Sequence, residues 1–212
     1  MNESYDLEGK ADAFTPEDHT AISGVYRLLA RLWFREIDAE LLEQFRTTSL
    51  RDVFVEAGGI LPAVHEETLD ELSADYCRLF IGPKNHLPPV QSVWQQGQFQ
   101  GDAAKSMGDM TDVIGYPTDN LPPGTMVDHL AVQLDLMASL VDAISQITDE
   151  SRLADARELR LDYFRKHLAW PTRLLTAAAQ RAESDFYRSV IEMTAAFLET
   201  ERASLAPYAS QS

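Results

Sequence analysis

Apolar residues recur along this chain at spacings of three and four, the period of a helix, through most of its length. Ile22, Val25, Tyr26, Leu29, Leu32 and Trp33 form the first such stripe. It follows Thr15-Pro16-Glu17-Asp18, which reads as a capping residue, a first-turn proline and two first-turn acids, so a helix is predicted over about 16–35. Asp38 can cap a short helix through Leu41, Leu42 and Phe45, and Ser49 another through Val53 and Phe54 that Gly58-Gly59 ends. A longer helix is predicted from Glu66 to Phe80, carrying Leu69, Leu72, Tyr76 and Leu79 inward and stopping at Gly82-Pro83. Met107, Met110, Val113 and Ile114 continue the helical pattern until Gly115-Tyr116-Pro117.

The C-terminal half is the most regular. Leu130, Leu134, Met137, Val141 and Ile144 repeat at 4, 3, 4 and 3, one face of a helix over about 127–147. Ser151 can cap the next, with Leu153, Ala156, Leu159, Tyr163 and Phe164 inward. Pro171 opens a short helix with Leu174 and Leu175, and Ser184 caps a last one through Tyr187, Val190, Ile191, Thr194, Phe197 and Leu198. No stretch alternates as a strand would, and no repeat is visible. The fold class is therefore all-α: a single-domain bundle of about eight to ten helices over 15–205, between an N-terminal segment 1–14, expected to be flexible, and a tail 206–212. Two segments break the pattern. Residues 82–99 hold three prolines and a Gln cluster with no helical period, and 116–127 is rich in Pro and Gly. Connections of that length are usually functional. A hinge at 116–126 also leaves two states open, a monomer or a homodimer that exchanges its C-terminal helices.

Composition narrows the partners. The 212 residues are 45% apolar, enough for a core without staples, and the lone Cys77 fits a reducing compartment. The start, Met1-Asn2-Glu3-Ser4, lacks the basic and apolar regions of a secretory signal, and no apolar run would cross a bilayer, so a cytoplasmic protein is expected. With 34 acidic against 18 basic residues the net charge is −16. Phosphate backbones and anionic membranes are bound by clustered Lys and Arg, so neither nucleic acid nor stable membrane insertion is expected, whereas a basic peptide would be attracted.

Catalytic motifs are scarce. Gly97 and Gly101 before Lys105-Ser106 have the wrong spacing for a phosphate loop. The five histidines form no Glu-x-x-His or His-x-x-x-His pair, so no metal is expected. Asp128-His129 is the one local acid–imidazole pair, but neighbours on a helix point about 100° apart, and an Asp there is commonly a cap.

Around the two irregular segments the residues resemble a known family. Asp75-Tyr76-Cys77-Arg78-Leu79-Phe80-Ile81-Gly82-Pro83, then Pro88-Pro89-Val90-Gln91-Ser92-Val93-Trp94, then Asp128-His129-Leu130 with Leu136-Met137, look like the TorD/DmsD family. His167-Leu168-Ala169-Trp170 and Phe186-Tyr187 are similar to it as well. The resemblance implies an all-helical, non-enzymatic cytoplasmic chaperone. Its partners would be the twin-arginine signal peptide and the immature catalytic subunit of a molybdenum-containing oxidoreductase of the DMSO/TMAO reductase type. It would assist cofactor insertion and prevent premature export. Signal binding would involve Asp128, His129, Pro88, Pro89, Ser92 and Trp94, with Tyr76, Arg78, Phe80, Gly82, Pro83 and Trp33 as further candidates. Weak guanine-nucleotide binding, suggested for some members, has no phosphate loop to support it here; no cofactor is expected. The chain departs from the family's pattern at Val127, where Pro is usual, and at Gln91 and Gln133, where acids are often found.

Two guanidiniums followed by an apolar stretch need carboxylates beside a hydrophobic groove, and the excess of acids and a Trp in a Pro-fixed loop agree with that. Structural roles stand beside each reading: Trp94 as a pin for its loop, Arg78 as a clamp on Asp75 or a carbonyl, and Tyr76, Phe80 and Trp33 as core. Two rivals are an assembly chaperone of the nitrate-reductase type for a non-exported enzyme, and a helical nucleotide-binding hydrolase using Asp128 and His129.

Overall fold

A computed structural model describes residues 16–48 and 50–206. The expected caps Thr15 and Ser49, the 1–14 segment and all of the tail after residue 206 lie outside the described residues, as does the side chain of Val53. Ten α-helices follow in order: α1 (Pro16–Phe34), α2 (Ala39–Thr47), α3 (Leu50–Glu56), α4 (Glu66–Tyr76), α5 (Gln91–Gln96), α6 (Asp102–Ile114), α7 (Leu130–Ser145), α8 (Glu150–His167), α9 (Thr172–Arg181) and α10 (Asp185–Leu205). Among the described residues there is no strand, and no helix is long and apolar enough to cross a membrane.

α7 is the central element. Eleven of its sixteen residues are buried, from Leu130 to Ile144, so it is covered nearly all round rather than on one stripe. α1 packs along it most extensively, through a face that includes Tyr26, Leu29, Ala30 and Trp33. α8 flanks α7, and α10 returns beside α9. One buried polar junction crosses three helices: Tyr26 Oη donates to Glu201 (2.8 Å), and Arg160 pairs with the same carboxylate oxygen (2.5 Å).

Several predicted boundaries shift for physical reasons. The helix expected over 66–80 is α-helical only to Tyr76, then widens into a π-helical turn, Cys77–Ile81, closed by Gly82 N–H on Cys77 O (2.6 Å). A Cβ on Gly82 would lie 3.1 Å from that carbonyl, tight enough to favour glycine. α8 is capped by Asp149, which accepts from Arg152 N–H (2.9 Å); Ser151 only donates to that carboxylate. Val113 is 73% exposed, not a core residue of α6. The 82–99 segment contains α5, which the pattern did not show.

α10 is held at its start from outside. Ser184 caps it by accepting from Tyr187 N–H, as expected, and the buried carboxylate of Asp75 on α4 accepts from Ser184 N–H (2.8 Å), Ser184 Oγ (2.7 Å) and Glu183 N–H (3.2 Å). Hydrogen bonds to a buried charge stabilise by about 1.5–3 kcal/mol each. Asp75→Ala should lower the unfolding free energy in urea titrations by about 2–4 kcal/mol, and Asp75→Asn, which keeps an acceptor, by roughly half of that.

Candidate functional site

α5 and α7 begin side by side, and each start supplies what the other lacks. The first turn of a helix leaves backbone N–H groups without partners. Here Gln91 N–H donates to Asp128 O (3.0 Å) and Leu130 N–H to Pro89 O (2.7 Å), the two bonds of an isolated antiparallel bridge between Val90 and His129. Ser92 N–H donates to Asp128 Oδ2 (2.8 Å), and Ala131 N–H to His129 Nδ1 (3.1 Å). Pro88 and Pro89 have no N–H to offer, so the pairing stops after one bridge. The two irregular segments thus form a single knot.

This geometry refines the reading of Asp128 as a cap. It caps α5, across the knot, while His129 caps α7, the helix that follows them both. Asp128 is fully buried, and among the described residues its Oδ1 has no hydrogen-bond partner; the same holds for Oγ of the buried Ser92. His129 is half-buried with the edge of its ring toward Phe34, centroids 6.0 Å apart. Accepting through Nδ1 requires an unprotonated nitrogen, and burial accordingly pushes the imidazole down to about 4, with Asp128 opposing the shift.

Trp94 is half-buried on α5, and its indole N–H donates to Pro88 O (2.8 Å), which pins the Pro88–Pro89 segment. Behind it lies a polar network that the sequence did not announce. Gln91 and Gln133 are buried and joined, Gln133 Nε2 donating to Gln91 Oε1 (2.6 Å). Gln91 Nε2 donates to Lys166 O (2.7 Å), which fixes the orientation of its amide. His167 Nδ1 therefore donates to Gln91 Oε1 (3.2 Å), and its Nε2 accepts from Ser106 Oγ (3.1 Å). Trp170 Nε1 completes the set on Gln133 Oε1 (2.8 Å). Neutral amides carry no motif; only the departure from acids at 91 and 133 marked these positions.

The other candidates lie elsewhere. Trp33, Tyr76 and Phe80 are core: Trp33 Nε1 donates to Thr194 Oγ1 (2.9 Å), Tyr76 Oη to Trp33 O (3.0 Å), and the Phe80 ring lies 5.0 Å from Trp33. Arg78 is a clamp, pairing with Asp75 and donating to Arg181 O (2.8 Å). Gly82 closes the π-helical turn and Pro83 is exposed. Where α1 ends, Phe34 lines an open groove of about 260 Å³ with Arg27, Tyr116, Leu121 and Val132, bordered by the 116–122 segment. Tyr116 Oη donates to Asp135 on α7 (2.6 Å), which ties that segment to the helix. Among the described residues no three His, Cys, Asp or Glu side chains converge as a metal site would require.

Both imidazoles are held neutral; burial, with Lys166 adding to it, pushes His167 down to about 4 as well. In an unfolded chain a histidine titrates near 6.5, so between the two values the unfolded state binds more protons. Stability is then complete above pH 6.5 and falls as the pH drops toward 4, by about 2 kcal/mol per histidine at pH 5. Urea titrations at pH 7.5 and pH 5 should show this loss, and His167→Gln should remove about half of it.

Comparison with known proteins fits this architecture. The nitrate reductase delta subunit family matches residues 34–175. Chaperone protein TorD of Vibrio cholerae serotype O1 is 25% identical over 200 residues, covering 84% of this chain and 89% of that protein. Chaperone protein TorD of Aliivibrio salmonicida is 24% identical over 196 residues, covering 84% and 91%. No solved structure matches the chain. The match spans the knot, the π-helical turn and α7 together, and the chain belongs to the nitrate reductase delta subunit family as a TorD/DmsD-type chaperone of redox-enzyme maturation, not an enzyme.

Proposed function

We propose that this chaperone works in the cytoplasm on the precursor of a molybdenum-containing oxidoreductase of the DMSO/TMAO reductase type, recognising its twin-arginine signal peptide at the α5–α7 knot until the cofactor is inserted. The observation that carries the reading is Asp128. Its Oδ1 has no partner among the described residues, and a guanidinium is the donor best matched to such an oxygen; since Asp128 is fully buried in the free chain, contact requires the side chains over it to give way as the peptide binds. Half-buried Trp94 and His129 beside it offer amphipathic surface to the apolar stretch that follows the arginines. The net charge of −16 draws such a peptide in from a distance.

Asp128→Asn separates recognition from capping, because the amide oxygen still accepts from Ser92 N–H. By calorimetry a synthetic twin-arginine signal should bind, with Arg-Arg→Ala-Ala weakening it about 10- to 100-fold, the scale of lost charge-assisted hydrogen bonds. Affinity should fall as salt rises. D128N should lose about tenfold while keeping the helix content of the wild type. No binding by the folded wild type, or equal binding by D128N, would overturn the proposal.

A further inference from the structure

Arg173 stands where helix electrostatics do not favour it. It is the second residue of α9, whose first turn has no acid, so its charge faces the positive end of the helix dipole. Among the described residues no carboxylate pairs with it, in a chain carrying 34 acids. Its one contact is aromatic: the guanidinium carbon lies 6.0 Å from the Trp94 ring centroid, over the face. That ring is held by its bond to Pro88 O, and Pro88–Pro89 are held in turn by the bridge to α7. A guanidinium over a fixed, half-exposed indole face is the arrangement by which proteins bind arginine, here filled from within the same chain.

We propose that the face of Trp94 is a guanidinium platform and that Arg173 is its internal occupant, which an arginine of the client must displace. The identity of that client rests on the twin-arginine reading; the platform does not. Arg173 is exposed and sits on the surface of a short helix, so its side chain can swing away without disturbing the core. Occupation from within lowers the apparent affinity for an external cation in proportion to the fraction of time the platform is covered. At an exposed cation–π site that amounts to about two- to fivefold.

The test uses the full chain and two probes. Arginine amide is titrated while the Trp94 indole N–H is followed by NMR, the signal being assigned by its loss in Trp94→Leu. A synthetic twin-arginine signal is titrated by calorimetry. R173A should bind arginine amide about two- to fivefold more tightly than the wild type. Arg51→Ala on α3, which removes the same charge from a residue that does not touch Trp94, should not. Because W94L lacks the indole reporter, that background is read by calorimetry with the peptide, where any gain from R173A should vanish; if W94L loses helix content, the comparison of R173A with R51A decides alone. Equal affinities for the wild type and R173A, or an equal gain in R51A, would overturn the proposal. If arginine amide behaves as stated and the peptide binds no variant, the platform stands and the twin-arginine reading falls.

Discussion

Two helix starts that lie side by side inside the protein set the terms for everything around them. α7 is covered on nearly every side, so the N–H groups of its first turn cannot turn to water. Pro89 O and His129 Nδ1 satisfy two of them, and in exchange the Asp128 carbonyl and carboxylate satisfy the first two of α5. Both helix starts present the positive ends of their dipoles to Asp128, which offsets part of the cost of its full burial where, among the described residues, no cation pairs with it. A six-residue helix is far below the length that is stable alone, so α5 exists because α7 begins where it does.

From that constraint the site inherits its rigidity. Trp94 rides on α5, whose first turn is fixed by Asp128 and by Gln91, which reaches Lys166 O on α8 and Gln133 on α7. The network is closed: both ends of each amide and both nitrogens of His167 have partners. A closed buried network specifies one arrangement, whereas a partly satisfied one admits several. The aromatic core of Trp33, Tyr76 and Phe80 shares one cluster with α7, and Phe34 against His129 and Leu87 N–H on Leu79 O (2.7 Å) tie its edge to this unit. The Tyr-x-Arg-Leu-Phe motif is accordingly a fastening: Arg78 and Asp75 hold the junction of α9 and α10.

The long helices were legible because burial of a face imposes a period, and α1, α7 and α10 follow it closely. α5 was not, since six residues make too few turns to show one, and its stabilisation comes from a residue 36 positions away. The π-helical turn was hidden because it keeps the same apolar residues as an α-helix and changes only the hydrogen-bond register. Asp128 and His129 could be singled out as a local acid–imidazole pair, and Trp94 through the motif of the family resemblance. Their mutual geometry could not, because a cap supplied by a distant segment has no local signature. Arg173 left no trace at all: one arginine among many becomes notable only when its neighbour is seen to be an indole rather than an acid.

Neutrality inside the knot changes what the overall charge can do. Gln91 and Gln133 sit against a neutral His167, and an acid at 91 would place an anion beside that imidazole and raise its pKa toward the physiological range. With amides there, protonation of His167 stays decoupled from the knot near neutral pH, and Asp128 is the one carboxylate at its centre. The remaining acids act at range, and beyond about 8 Å salt at physiological strength screens them. In the proposed reading, attraction and recognition would be carried by different groups: the surface acids would set how often a cationic segment arrives, and the Asp128 carboxylate with the Trp94 indole face would set what stays. A client lysine would be drawn in as strongly as an arginine, but its ammonium lacks the flat fork that both an unpaired carboxylate oxygen and an aromatic face accommodate. On the proposed reading a preference for arginine would come from shape at these two groups, and the knot is what holds them in place.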